Sequence, residues 1–329
     1  MARSVRIHAF GDAGVLEIEE VAVPVPGRGE IRLRVHAIGI NRTEVTLRSG
    51  RSPVKPALPT GLGFEAAGIV DAVGPGVTGI GTGDRVALVP AYGAAQYALY
   101  GELALAPARS IVPVPAATSF VEAAATWAAF GTAWGGLIAT GGLQAGQTVL
   151  IPAASSGVGL AAIQVANRIG ARPIALTRTS TKRAALLEHG AAAVIATGEE
   201  DIIAAAQALT SGRGADLVFD PVGGALLPTL MKSTAPGGRV VLYGALASEP
   251  TALQPFDLFG RDLTLRGFAL TALTRDDTRL AQLKDFVGGG LAGGSLQPVV
   301  DHTLPFDRIA DAHRLMESGS QVGKIVVVV

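Results

Sequence analysis

The chain has 329 residues, balances 27 Lys+Arg against 27 Asp+Glu, and contains no cysteine. That length holds about two domains with sizeable cores. The absence of cysteine excludes disulfides, cysteine-ligated zinc, iron–sulfur clusters and thiol catalysis, and zero net charge gives no basic face for nucleic acid. Hydrophobic residues make up 49% and charged residues 16%, a composition that folds rather than stays disordered.

Met1 to Phe10 alternates like a strand, carries Arg3 and Arg6, and lacks the apolar run of a secretory signal, so a cytoplasmic location is expected. The region to about Ser119 is rich in Gly and Pro. Its short apolar or alternating runs are Glu17 to Val23, Ile31 to Val35, Ile69 to Val73 and Arg85 to Val89, separated by turn pairs such as Pro26-Gly27, Pro75-Gly76 and Gly83-Asp84. They read as an irregular, mostly antiparallel β domain. From Ala123 to Asn167 no residue is charged. A membrane span needs about 20 consecutive apolar residues, and Gly131, Gly135, Gly141, Gln144, Gln147 and Pro152 interrupt this stretch. It reads as buried helices and strands, with no membrane partner.

The second region alternates strand and helix. Thr148 to Pro152 is a strand and Val158 to Ile169 a helix stopped at Gly170; Pro173 to Leu176 is the next strand. Thr179 or Ser180 is placed to cap a helix over Lys182 to His189. The strands Ala193 to Ala196, Asp216 to Phe219, Arg239 to Tyr243 and Leu263 to Arg266 follow, with helices at Ile202 to Leu209 and Ala225 to Met231 between them. Alternation at this spacing predicts an α/β fold with a doubly wound parallel sheet, which places its ligand at the carboxyl ends of the strands.

Ala154-Ser155-Ser156-Gly157-Val158-Gly159 joins the first of these strands to its helix. It fits the dinucleotide pattern G-x-G-x-x-G with Ala154 and Ser156 in the first two glycine places. Small residues let backbone approach a pyrophosphate, and the helix start offers N–H groups and the positive dipole end. An NAD site wants a carboxylate about 20 positions on, for the ribose 2′-OH. Here the chain reads Thr177-Arg178-Thr179-Ser180-Thr181-Lys182. Two cations and several hydroxyls suit a 2′-phosphate, which Arg178 can grip and Lys182 can neutralise. NADPH is the expected cofactor.

These segments resemble the medium-chain dehydrogenase/reductase superfamily, on its zinc-free, zeta-crystallin-like quinone oxidoreductase side, over nearly the whole chain. Asn41 to Glu44 with Arg48 and Gly50 is similar to its G-x-N-x-x-D…R-x-G segment, and Gly63 to Gly68 to its G-x-E-x-x-G. Gly83-Asp84-Arg85-Val86, Gly131-Thr132-Ala133, Asp220-Pro221-Val222-Gly223-Gly224 and Gly323-Lys324-Ile325-Val326 match further motifs in order. The resemblance implies a GroES-like, mostly-β catalytic domain over 1–120 with 268–329. It also implies an inserted Rossmann domain over 121–267, an active site in the cleft, and a homodimer. It places Thr132, Ser155, Ser156, Gly157, Val158, Arg178, Lys182, Val222, Gly223, Tyr243, Phe268 and Lys324 near the cofactor.

Where zinc alcohol dehydrogenases of this superfamily carry Cys and His ligands, this chain has Asn41 and Phe64, which make no zinc site. The five histidines are scattered in sequence, and no metal is expected. Without zinc, a hydride is more readily given to an acceptor that delocalises its own charge. The expected activity is therefore NADPH-dependent reduction of a quinone or an α,β-unsaturated carbonyl. Relatives often carry Tyr where this chain has Ser52, so Asn41 is the preferred donor to the developing oxyanion, with Tyr92 and Arg48 as weaker candidates. The alternatives are a metal-free carbonyl or alcohol dehydrogenase, and a non-catalytic NADPH-binding protein.

Overall fold

The computed structural model describes residues 1–93 and 95–329. They form two units: Met1–Ala128 with Thr274–Leu280 and Pro298–Val329, and Ala129–Leu273 with Ala281–Gln297.

In the first unit, β1 (Ala2–Ile7), β2 (Glu17–Val21), β3 (Glu30–Gly39), α1 (Arg42–Arg48), β4 (Thr60–Gly61), β5 (Ala66–Val73), β6 (Arg85–Leu88), β7 (Leu103–Pro107), β8 (Ile111–Pro113) and α2 (Phe120–Ala124) follow one another. The period of two in Ile31-Arg32-Leu33-Arg34-Val35 explains β3. Ile31, Leu33 and Val35 are buried, while Arg32 and Arg34 project from the other face and each contact Asp71 of β5 at 2.6 Å. The strand runs well past the alternating stretch, because Ala37, Ile38 and Gly39 still pair, with β5 or with the last strand of the chain.

The second unit takes up the chain within α3 (Trp127–Trp134). It continues through β9 (Thr148–Ile151), α4 (Gly157–Arg168), β10 (Arg172–Thr177), α5 (Arg183–Glu188), β11 (Ala193–Ala196), α6 (Ile202–Leu209), β12 (Ala215–Asp220), α7 (Leu226–Lys232), β13 (Thr234–Leu242), α8 (Pro255–Phe259), β14 (Thr264–Gly267) and α9 (Leu270–Leu273). Among the described residues its six strands are all parallel, in the order β11-β10-β9-β12-β13-β14. The order reverses direction between β9 and β12, which is the switch point of a doubly wound sheet. Every residue of β9 and β12 is buried, as central parallel strands require. The chain ends with α10 (Asp277–Ala292), β15 (Val300–Pro305), α11 (Ile309–Ser318) and β16 (Lys324–Val328). β15 and β16 complete the main sheet of the first unit, ordered β15-β16-β3-β5-β6-β8 with β7 also on β3.

Two local expectations are corrected. β13 begins at Thr234 rather than Arg239. Thr234 pairs with Ala215, and the register then jumps to Leu217–Arg239, so the intervening Pro and Gly residues bulge out. Neither Thr179 nor Ser180 caps α5: a 3-10 turn over Ser180–Lys182 precedes it, and the Thr179 hydroxyl bonds Thr181 Oγ1 instead. The uncharged stretch after Ala123 folds as α2, α3, a π-helical segment over Gly135–Thr140, β9 and α4. No helix among the described residues is long and apolar enough to cross a membrane.

Candidate functional site

In the second unit, the sequence-predicted cofactor residues collect at the carboxyl ends of five adjacent strands. The turn after β9 carries Ser155, Ser156, Gly157 and Val158 into α4. Ser156 is the N-cap, its Oγ accepting from Gly159 N at 3.1 Å. Gly159 has no room for a side chain: a Cβ there would lie 2.5 Å from the Ala154 carbonyl oxygen. The turn is tight enough that Ala153 sits at φ 50°, a left-handed conformation costly for a non-glycine residue.

Arg178 follows β10 and is exposed. Lys182, four residues on, donates to Ser155 Oγ at 3.2 Å, so the cation of the second turn reaches back to the first. The carboxylate of Glu199 accepts from Ser180 N at 2.9 Å, which holds this turn in shape. After β12, buried Asp220 accepts from Val222 N at 2.7 Å and Gly223 N at 3.1 Å; burial raises its carboxyl above the ordinary range, and the two amide bonds oppose that. Gly223 takes φ 67° within this turn.

Tyr243 directly follows β13 and stacks on Phe219 with centroids 4.0 Å apart. Its buried hydroxyl has no hydrogen-bond partner, an orphan donor at the sheet's ligand end. Phe268 follows β14, its amide bonded to Leu242 O at 2.9 Å. Thr132 lies on α3, away from these strand ends in sequence and partly buried. The helix-start turn, the paired Lys182 and Ser155, and the orphan Tyr243 hydroxyl fit a dinucleotide.

Lys324 belongs to the first unit. β16 pairs antiparallel with β3, and this brings Lys324 against the end of β3 and the start of α1. Its ammonium, 5% exposed, donates to Asn41 Oδ1 at 2.7 Å, Glu65 Oε2 at 2.8 Å and Ile40 O at 3.2 Å. These three bonds use all its hydrogens. Glu65 is fully buried, and its other oxygen accepts from Ala128 N at 2.8 Å. Asn41 is at the N-cap of α1 without capping it; its Nδ2 donates to Gly39 O at 3.0 Å and reaches Glu44 Oε1 at 3.5 Å. That second contact is at the outer limit of a hydrogen bond, so one amide hydrogen is barely engaged. Lys324 on the carbonyl end polarises the amide and makes that hydrogen a better donor.

Tyr92 is buried near this cluster and gives its hydroxyl hydrogen to Phe64 O at 3.0 Å. Burial, with Glu65 and Glu44 adding to it, raises its phenol well above the usual value, so it holds its proton tightly. Arg48, the other weaker candidate, is wholly buried and donates to Gly11 O (3.0 Å) and Glu317 (2.7 Å). Zinc does not fit this cluster: Phe64 offers no donor atom, Asn41 is committed to Lys324, and the ammonium itself supplies the positive charge. One group of potential ligands does come together among the described residues, His8 with Glu17 and Glu19, within 4.8 Å of one another on the exposed β1–β2 face. Sequence spacing gave no sign of it, because the ligand atoms meet only across two paired strands.

Residues 27–154 match the alcohol dehydrogenase GroES-like domain family and residues 157–286 the zinc-binding dehydrogenase family. The chain is 30% identical to the quinone oxidoreductase of Sus scrofa, covering 98% of this chain and 97% of that protein. The crystal structure of Escherichia coli quinone oxidoreductase complexed with NADPH is 30% identical, with a TM-score of 0.93 and full coverage of both chains (100% each). The crystal structure of an NAD-dependent alcohol dehydrogenase is 33% identical, with a TM-score of 0.91 over 99% of each chain.

Proposed function

Because the chain belongs to the medium-chain dehydrogenase/reductase superfamily, on its zeta-crystallin-like quinone oxidoreductase branch, and is therefore an oxidoreductase with a nicotinamide cofactor, we propose that it uses NADPH, without zinc, to reduce a quinone or an α,β-unsaturated carbonyl. The observation that carries the cofactor choice is the turn after β10. It offers the exposed guanidinium of Arg178 and the ammonium of Lys182, the latter already joined to the phosphate-binding turn through Ser155. A 2′-phosphate receives two cations there, whereas the 2′-OH of NAD finds no carboxylate between Thr177 and Lys182.

When bound, the reduced nicotinamide supplies the hydride. The protein's share is to hold the acceptor and to stabilise charge on its oxygen. Asn41 is the group we assign to that oxygen. Lys324 draws on the amide carbonyl, and the Nδ2 hydrogen held only weakly by Glu44 goes to the oxyanion as it develops. Tyr92 is left as a structural donor to Phe64 O. A quinone or enone suits a site in which a buried ammonium, and no zinc, supports the donor amide, because such acceptors spread their own charge. The NAD-dependent alcohol dehydrogenase among the structural neighbours favours carbonyl reduction as the second reading; a carbonyl product would retain its carbon–carbon double bond and lose its C=O.

We also assign a homodimer built on the outer edge of β14. That strand ends the parallel sheet, its residues are largely exposed, and nearby α8 presents Phe256 and Phe259 at 77% and 63% exposure.

The test is NADPH and NADH consumption with a naphthoquinone and with a conjugated enone, products identified by mass. Turnover with NADPH preferred and the carbonyl of the enone retained supports the reading. NADH preference, or reduction of the carbonyl itself, replaces it with the second. Loss of activity on chelation overturns the zinc-free assignment.

A further inference from the structure

Two carboxyl groups and one ammonium are buried together in the first unit. Lys324 bonds Glu65 directly, and Glu44 receives no bond from it. Glu44 is 1% exposed; Oε1 lies 3.5 Å from Asn41 Nδ2, and Oε2 is buried without a partner. A carboxylate in that position would be a charge in the core answered only by its own backbone amide, the long Asn41 contact and a Lys324 ammonium that bonds elsewhere, and a neutral acid avoids that cost.

The groups facing it come from several elements. Lys324 on β16 and Glu65 before β5 act on it with opposite sign. Tyr92 and Tyr100, from the connection between β6 and β7, both feel its charge. Arg48 lies one turn along α1 and is committed to Gly11 and Glu317, while His313 of α11 shares a 3.1 Å hydrogen bond with Tyr100. Burial raises the Glu44 carboxyl to about 8 by removing water, while a hydrogen bond from its own backbone amide and then the charge of Lys324 pull it down.

Resting on the assignment of Asn41 as oxyanion donor, we propose that Glu44 is a positioning residue whose proton decides where the Asn41 amide hydrogen goes. As a neutral acid, Glu44 is a poor acceptor at 3.5 Å, and the hydrogen stays free for the substrate oxygen. As a carboxylate, it becomes a strong, charge-assisted acceptor and takes that hydrogen. It also competes with Glu65 for the single Lys324 ammonium and loosens the bond that polarises Asn41. The proton itself passes to solvent and back; it is not consumed in the reaction.

The test is kcat at saturating NADPH and naphthoquinone from about pH 6 to about pH 10, for the wild-type chain and for Glu44→Gln. The wild type is expected to lose kcat about tenfold per pH unit on the alkaline side, with the acceptor KM moving much less, as for an interaction made in the transition state. Glu44→Gln, whatever its kcat at neutral pH, is expected to lack that limb. A wild-type limb that survives unchanged in Glu44→Gln overturns the proposal, as does a wild type without any limb. Should Glu44→Gln fail to fold, Glu44→Met removes the same charge at similar length. Infrared titration of the wild type supplies an independent readout: a protonated-carboxyl band present at neutral pH and lost near pH 8 supports the proposal, and a Glu44 ionised at neutral pH overturns it. Asp220 is the other buried carboxyl that is raised, and subtraction of the variant's spectrum separates the two. A wild type inert toward quinone and enone would sink the functional reading itself, a result distinct from turnover without a limb.

Discussion

The two units handle buried charge in opposite ways. In the second, the buried carboxyl groups of Asp216 and Asp220 accept from backbone amides, Thr148 N for the first and Val222 N and Gly223 N for the second, with the local Arg213 as a further partner of Asp216. Its cations Arg178 and Lys182 sit at the rim of the sheet. In the first, buried charged and polar side chains find side-chain partners far along the chain: Lys324 with Glu65, which also accepts from Ala128 N, Arg48 with the exposed Glu317, and Tyr100 with His313. A backbone amide survives every substitution except proline, whereas a side-chain partner does not. Substitutions in the second unit's site should therefore change binding and spare the fold. Substitutions in the first unit's cluster should change the fold first.

The largest test is Lys324→Met. It strands Glu65 as a buried, uncompensated charge, and breaking such a pair costs about 3–5 kcal/mol. Urea denaturation should show that loss, and the double variant with Glu65→Gln should regain much of it. A cost near that of a surface substitution, about 0.5 kcal/mol or less, would erase the contrast between the units.

Arg178→Ala is the counterpart. Its side chain is exposed, so stability should change by about 0.5 kcal/mol or less. Losing a hydrogen bond between charged partners should weaken NADPH about 10- to 100-fold. NADH should be nearly unaffected. Equal losses for the two cofactors, measured by fluorescence titration, would remove the phosphate assignment.

The pH dependence of stability sharpens the same contrast, because two strongly shifted groups belong to the first unit. Glu44 is raised to about 8 from 4.5, mainly by burial, so its folded form holds a proton that the unfolded chain has lost. That contribution is present below pH 4.5 and fades as pH rises toward 8, by about 3 kcal/mol between pH 4.5 and pH 7. His313 is lowered to about 3 from 6.5, again mainly by burial with Arg48 adding to it. Its contribution is present above pH 6.5 and fades as pH falls. Between pH 4.5 and 6.5 the two slopes oppose each other. Melting temperature should be nearly level there in the wild type and fall on acidification in Glu44→Gln. A Glu44→Gln profile that overlays the wild type would contradict the burial cause given for both groups.

The same division governs what was legible in the chain. β11 and α6 lie where their apolar patterns put them, Ala193–Ala196 and Ile202–Leu209, because a parallel strand and an amphipathic helix announce themselves within a few residues. The turn at Ser155 to Gly159 was legible for the same reason. Its bond from Lys182 spans 27 positions and was not, although both residues had been singled out. In the first unit, Asn41 and Glu65 stand out in sequence, but Glu44 appears only as one letter of a motif and Lys324 as a residue near the cofactor. Nothing local ties Lys324 to Glu65 across 259 positions; only the antiparallel pairing of β16 with β3 does so. The capping expectation at Thr179 failed because a 3-10 turn over Ser180–Lys182 stands between it and α5, so its oxygen is too far along the chain to accept from that helix's first amides.

The smallest effect should come from Ala153, where the second unit's backbone site carries strain of its own. At φ 50° an alanine pays for its Cβ, and glycine would not. Ala153→Gly removes that strain but loosens the unfolded chain, so the net gain should be about 1 kcal/mol or less. Because Ser156 still caps α4 and the Gly159 approach to Ala154 is unchanged, NADPH affinity should hold within about twofold, well under the 1.4 kcal/mol that makes a factor of ten. A stabilised variant that binds NADPH tenfold more weakly would show that the strained alanine orients the turn for the cofactor. The contrast between the units would then narrow, since a side chain would be setting the backbone site as well.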